Sequence, residues 1–217
     1  MTNEEYKKLS IQEFTKAAQM YEGDKAGIYK MCRKDYPDIL EELEKEAFQE
    51  LLDAGCGPAP MISLLSEKYP ERHYTGLDLT PAMIEQAKQK NLPNATFVVG
   101  DCENFPFPDN SFDVIICANS FHHYPNPQAF FDSVKRCLRP GGKLILRDIS
   151  SNNKLVLWFM DAIELPLANL VGHGDVKVAK KSVIKSCCEK SGLKIESFEI
   201  RKGMRMHCVI SGFWQLL

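Results

Sequence analysis

The chain has 217 residues, 44% hydrophobic and 26% charged, with a formal net charge of −2. That length suits one domain with a small accessory segment, and the composition is that of a globular protein able to bury a real core. A slightly acidic chain without a run of basic residues lacks the cationic footprint of a nucleic-acid binder.

Residues 1–48 read as an N-terminal helical cap, in two or three pieces broken near Gly23 and Pro37. The stretch Met1 to Ser10 is polar and has no apolar core, so neither a signal peptide nor a membrane anchor is expected there. From residue 49 strand-like and helix-like runs alternate. The strand candidates are Glu50–Asp53, His73–Leu77, Thr96–Val99, Phe112–Ala118 and Lys143–Asp148. A helical pattern with Met61, Ile62, Leu64 and Leu65 follows the first strand. Pro81 to Lys90 carries Met83, Ile84 and Ala87 on one face, with Thr80 as the expected N-cap and Pro81 at the first helical position. Asn126-Pro127 repeats that start signal ahead of Phe130, Phe131, Val134, Cys137 and Leu138, and Pro140-Gly141-Gly142 is expected to stop the helix.

Residues 152–172 break the alternation. They are apolar (Leu155, Val156, Leu157, Trp158, Phe159, Met160, Ile163, Leu165) but punctuated by Asp161 and Glu164, and too short to span a membrane. Following the fifth strand, the 152–180 segment reads as an insert forming a lid or substrate-pocket wall. Lys181 to Ser191 is a helix ended by Gly192. Lys194–Ile200 and Arg205–Ile210 then form an antiparallel hairpin about Gly203. The alternation means βαβ units, an α/β fold with a mainly parallel, doubly wound sheet, and a ligand at the strands' carboxyl ends.

The eight cysteines (Cys32, Cys56, Cys102, Cys117, Cys137, Cys187, Cys188, Cys208) include no C-x-x-C pair. They read as free buried thiols in a reducing, cytoplasmic setting, with no metal site.

The chemistry gathers at three strand ends. In Leu51-Leu52-Asp53-Ala54-Gly55-Cys56-Gly57-Pro58-Ala59 a strand turns into a helix through two glycines, which let a ligand approach the backbone closely. Asp53 would repel a pyrophosphate and favour a cation. The dinucleotide pattern G-x-G-x-x-G is broken by Pro60, with Ala59 as the third small residue. Asp78, at the end of Gly76-Leu77-Asp78-Leu79, lies about 20 residues on, where a carboxylate can accept both ribose hydroxyls of an adenosine. Asp101, in Gly100-Asp101-Cys102, is placed to accept from an adenine amino group.

These motifs resemble the class I S-adenosylmethionine-dependent methyltransferases, in particular the ubiquinone/menaquinone-biosynthesis group. The matching text continues through Thr80-Pro81-Ala82-Met83-Ile84, Phe105-Pro106-Phe107-Pro108-Asp109-Asn110-Ser111-Phe112-Asp113, Phe121-His122-His123 and Leu138-Arg139-Pro140-Gly141-Gly142-Lys143-Leu144, and covers roughly residues 50–150. Phe14, Ala18 and Tyr21-Glu22 resemble that group's N-terminal helix. The resemblance implies a Rossmann-like seven-stranded sheet in residues 49–217, with a C-terminal antiparallel hairpin strand, and S-adenosylmethionine as cofactor. It implies that Asp53 and the Gly55, Cys56 and Gly57 backbone hold the cofactor's cationic methionine part, and that Asp78 binds the ribose. Leu79 and Met83 would line the adenine, Asp101 and the Cys102 N–H would bond its edge, and the Asn119 backbone would lie near the methionine ammonium.

Methyl transfer from a sulfonium is an in-line displacement that chiefly needs alignment and exclusion of water, and a base is needed only for an early proton loss. His123, paired with His122 at the ligand edge, is the candidate for positioning or deprotonating the acceptor. Tyr21 and Tyr29 are candidates to close over the cofactor, and His173 and Asp175 to reach the pocket. The N/D-P-P-Y motif of nucleobase amino-methyltransferases is absent, so the expected acceptor is a small, partly apolar molecule. A thiol or metalloid acceptor, a catalytically silent cofactor-binding regulator and a dehydrogenase remain alternatives.

Overall fold

The strand-like runs of the sequence become the strands of a single sheet because they are apolar on both sides and bounded by turn residues. The computed structural model describes residues 1–21, 30, 32–170, 172–202 and 204–212. The strands are β1 (Glu50–Ala54), β2 (His73–Asp78), β3 (Ala95–Val99), β4 (Phe112–Ala118), β5 (Leu138–Ile149), β6 (Leu193–Arg201) and β7 (Arg205–Gly212). Their order is β3-β2-β1-β4-β5-β7-β6. The first five pair in parallel, and β7 runs antiparallel to both β5 and β6. The order reverses direction between β1 and β4. In an open α/β sheet that is where the connecting helices diverge and leave a crevice outside the carboxyl ends.

Side-chain alternation sorts the core into two layers. Leu52, Ala54, Ile115, Leu144 and Leu146 face Phe130, Phe131, Val134 and Ile184. Leu51, Val114, Ile116 and Ile145 face Ile39, Leu43, Ile62, Leu65 and Ile84. The second layer's helices are α2 (Tyr36–Leu43), α3 (Pro60–Lys68) and α4 (Pro81–Gln89). The first layer's are α5 (Pro127–Cys137) and α8 (Lys181–Ser191). Met83, Ile84 and Ala87 are the buried residues of α4, as their spacing requires.

Local signals behave unevenly. Asn126 caps α5, its side chain accepting the Ala129 N–H at 3.3 Å. Gly192 ends α8 in the left-handed conformation, φ 65°. Thr80 occupies the N-cap position of α4 but its side chain makes no capping bond, because the hydroxyl is turned to Asp78. Pro37 starts α2 rather than breaking a helix: its missing N–H falls in the first turn, where no intrahelical partner exists. Helix α5 stops at Cys137, before Pro140-Gly141-Gly142. Leu138 already pairs with Phe112, and Lys143 next pairs with Val114, so the Pro-Gly-Gly stretch bulges from β5 instead of ending the helix. Gly23 and Gly203 lie outside the described residues.

Two segments flank the sheet. Helix α1 (Asn3–Ala17) begins with a reciprocal cap, Thr2 accepting the Glu5 N–H and Glu5 accepting the Thr2 N–H. The insert after β5 holds α6 (Lys154–Phe159), a π-helical turn (Met160–Glu164) and α7 (Leu165–Leu170). Met160 and Val178 are buried, while Leu155, Trp158, Phe159, Leu167 and Leu170 are exposed. Among the described residues no helix is long and apolar enough to cross a membrane.

Candidate functional site

The turn after β1 is shaped by two glycines that serve different ends. Gly55 has φ +79°, and a Cβ there would sit 1.9 Å from the Ser120 Oγ, so only glycine fits. Gly57 has φ +53°, and a Cβ there would meet nothing within 4 Å. It borders open space. The N–H groups of the turn are spent internally. Gly55 and Cys56 N–H both donate to the Leu77 carbonyl, at 2.8 and 3.0 Å. Gly57 N–H donates to Asp78 Oδ2 at 2.9 Å. A phosphate would find no nest of donors here, which agrees with the charge of Asp53. Ala59 takes the left-handed φ of 59° just before Pro60 opens α3, at the place where a third glycine would be unstrained.

Three acids converge on this turn. Asp53 is 4% exposed. Burial, and then the charge of Asp78, push its carboxyl up to about 7. Among the described residues no donor serves its oxygens. Asp78 is also raised by burial, against the opposing pull of the Thr80 and Gly57 N–H groups; Thr80 N–H reaches its Oδ1 at 2.8 Å. Asp101 accepts the Glu103 N–H at 2.8 Å and the Lys7 ammonium at 2.7 Å. Lys7 also meets Glu103 at 2.6 Å. Burial alone would lower the Lys7 pKa, but these two carboxylates outweigh it and raise it.

The positions chosen for the cofactor, together with His123, border one cavity: Asp53, Gly55, Cys56, Gly57, Asp78, Leu79, Met83, Asp101, Cys102, Asn119 and His123; the Asp175 expected to reach the pocket does not line it. It holds about 910 Å³ of non-protein space, open mouth included. Helix α1 roofs it with Lys7, Ser10 and Phe14, and Tyr21 follows. Burial pushes the Tyr21 phenol well up, so it stays neutral. Tyr29 lies outside the described residues. No residue of 152–180 lines this cavity.

The histidines sit at the rim. His122 and His123 form a short 3-10 turn after β4. His122 Nδ1 lies 2.8 Å from Oδ1 of Asp148, which is fully buried at the end of β5. The His122 N–H donates to the other oxygen at 3.1 Å. Burial would lower the His122 pKa, but Asp148 outweighs it and raises it. His123 goes the other way, down to about 4, through burial and its neighbour His122. Phe14 of α1 stands edge-on to the His123 ring at 5.1 Å. Asp175 reaches both rings, 3.3 Å from His123 Nδ1 and 3.5 Å from His122 Nε2. His173 turns instead to Glu13 of α1, at 2.5 Å, and does not line the cavity.

Behind Asn119 lies a network the sequence reading missed. Fully buried Asp35 accepts from both Arg147 and Arg205. Asn119 donates to Asp35 at 2.9 Å and accepts from Arg205. Arg147 reaches Asp38 as well, at 2.8 Å. The Asn119 N–H is itself spent on the Arg147 carbonyl at 2.8 Å, at a left-handed φ of 57°, so a cofactor ammonium would meet its carbonyl. A signal existed: Arg147-Asp148 follow the apolar run Leu144-Ile145-Leu146 of β5, and buried charges need partners.

A switch-point crevice lined by acids on three successive strand ends is a ligand site of the kind an open α/β sheet offers. Residues 52–146 match the Methyltransf_11 family, a methyltransferase domain. Over 123 residues the chain is 39% identical to the phthiotriol/phenolphthiotriol dimycocerosates methyltransferase of Mycobacterium tuberculosis, covering 56% of this chain and 46% of that protein. It is 33% identical to the fatty-acid O-methyltransferase of Mycolicibacterium smegmatis, over 56% of this chain and 45% of that one. The matches thus span less than half the length of these curated relatives. The fold is shared with a chain of the Haloferax volcanii complex containing the Trm112 methyltransferase activator, at TM-score 0.74 and 17% identity, over 92% of this chain and 97% of that one. It is shared too with a SAM-dependent methyltransferase from Aquifex aeolicus, at TM-score 0.63 and 19% identity, over 81% and 88%. The residues fit that cofactor. An unpartnered buried carboxylate faces where a cation belongs, and the open side of Gly57 leaves room for it.

Proposed function

We propose that the chain transfers a methyl group from S-adenosylmethionine to a small acceptor with a large apolar portion. The observation that carries this is the meeting of Asp53, Asp78 and Asp101 with the Gly55–Gly57 turn around one cavity. When bound, the cofactor supplies an electrophilic methyl on a good leaving group. The protein's part is to hold and align. Asp53 and the Asn119 carbonyl take the cationic methionine end, and Asp78 takes the ribose hydroxyls. Leu79 and Met83 pack on the adenine, while Asp101, sharing its oxygens with Lys7, and the Cys102 N–H meet the adenine edge. Helix α1 excludes water above them, which favours an in-line displacement. His123, on the cavity wall, orients the acceptor's nucleophile.

Two observations support an apolar acceptor. The relatives named above are named for a phthiotriol lipid and a fatty acid. The 152–180 insert leaves Leu155, Trp158, Phe159, Leu167 and Leu170 exposed, an apolar surface of the kind a lipid-like chain covers. Calorimetry with the cofactor and with its demethylated product tests the first half. A labelled-methyl assay over fatty acids, long-chain alcohols and lipid phenols tests the second. Transfer to one of these classes is expected. Cofactor binding with no transfer to any acceptor would favour the reading of a silent cofactor-binding regulator, and absence of cofactor binding would overturn the assignment.

A further inference from the structure

His122, His123 and Asp175 bring three ligating atoms within 4.8 Å of one another. Their hydrogen-bond inventory does not close with neutral rings. His122 Nδ1 must carry the proton it gives to Asp148, so its Nε2 is a lone pair. That lone pair faces the Asp175 Oδ1, another acceptor, at 3.5 Å. One carboxylate, that of Asp175, therefore faces the lone pair, while Asp148 holds the opposite nitrogen of the ring. His123 Nδ1 lies 3.3 Å from the same oxygen and 3.3 Å from the Gly174 carbonyl, so it carries a proton that a bound metal ion would displace.

The spacing is that of metal ligands. Bonds of about 2.0–2.1 Å in a tetrahedron put neighbouring ligand atoms about 3.3–3.4 Å apart. The two edges through Asp175 measure 3.3 and 3.5 Å. A ring nitrogen that binds metal usually has its other nitrogen donating to a carboxylate, which fixes tautomer and orientation. Buried Asp148 holds His122 in that way. The cluster is also reachable, since the His122 and Asp175 side chains keep 20% and 21% of their surface exposed and His123 lines the cofactor cavity.

We infer that His122 Nε2, His123 Nδ1 and Asp175 Oδ1 form a site for one divalent metal ion of the zinc class, oriented by Asp148. Imidazole nitrogen and one carboxylate suit zinc, cobalt and their neighbours better than magnesium or calcium. On the methyl-transfer reading, and resting on it, the ion's free position holds an oxygen of the acceptor at the cavity rim. The sequence reading weighed only the cysteines as metal ligands and assigned no metal.

The test uses the whole chain, freed of any affinity tag and stripped with a chelator. Co²⁺ is titrated in by absorbance and Zn²⁺ by competition. One equivalent of cobalt should bind with the visible bands of a tetrahedral nitrogen/oxygen site. Asp175→Asn and His122→Gln should each weaken binding by more than tenfold, and Asp148→Asn by about 10–100-fold. Asp175 is partly exposed, so its variant should fold, and the wild-type titration needs no variant. No binding, binding unchanged in Asp175→Asn, or a thiolate-to-cobalt band marking cysteine ligands would each overturn the site. Cofactor calorimetry on the same stripped sample keeps the two readings apart. Cofactor binding without metal binding sinks the metal site alone, and the reverse sinks only the methyl-transfer reading.

Discussion

Asp53 offers the sharpest test of the cradle. Its carboxyl is raised from 3.8 to about 7 by burial and by the charge of Asp78. That shift of about three units corresponds to about 4 kcal/mol at 1.36 kcal/mol per unit, an upper figure for a buried acid. The pKa is raised, so the associated stability of the free protein is fully present below pH 4 and is lost as pH rises through about 7. A cationic ligand favours the ionised form, so binding must be linked to proton release. If only the ionised form binds, about half of the sites are competent at pH 7 and about one in eleven at pH 6. The cofactor Kd should then rise about fivefold between those values, and nearly tenfold more by pH 5. This window lies below the range, about 7.7–8.0, where an α-amino group titrates. Calorimetry in buffers of different ionisation heat would give both the Kd and the protons released. Asp53→Asn should bind more weakly and lose most of the slope. A Kd that is flat from pH 5 to 7, or a slope that persists in Asp53→Asn, would refute the assignment of Asp53 to the cationic end.

Further expectations follow from neighbouring residues. Gly57→Ala should fold with a loss of about 1–2 kcal/mol from its left-handed backbone, yet bind cofactor at least tenfold more weakly, because its Cβ enters the open side; melting curves and calorimetry separate the two. Asp35→Ala leaves Arg147 and Arg205 buried without their shared carboxylate and should cost about 3–5 kcal/mol in urea unfolding. His123→Ala should lower turnover by tenfold or more while leaving the cofactor Kd within about twofold; unchanged turnover would remove His123 from the acceptor's side of the site. Phe130→Ala, deep in the core on α5, should cost about 3–5 kcal/mol in urea unfolding.

The parts of this protein that local rules govern were legible in its sequence. Strand ends followed from apolar runs stopped by turn residues, and each of the seven strand candidates formed. The Lys181–Ser191 helix ended at Gly192 as its left-handed cap requires. Asp53, Asp78 and Asp101 could be found because a parallel sheet puts every strand's carboxyl end on one edge, so acids far apart in sequence meet in one crevice. Where two local signals competed, the reading slipped: Thr80 chose Asp78 over the helix, and Pro140-Gly141-Gly142 bulged from β5 while Leu138 had already paired.

What pairing of distant side chains governs was not legible. Lys7 meets Asp101 across 94 positions, and Arg205 meets Asp35 across 170. Asp175 reaches His122 and His123 only because the loop after the insert folds back beneath α1. Periodicity and turn chemistry act over a few residues and carry no information on which buried charge will face which. The sequence by itself determined the sheet, the switch-point crevice and the acids that line it. Only the tertiary structure decided which carboxylates stay unpartnered for a ligand, because burial and the proximity of opposite charges exist only once the chain has folded.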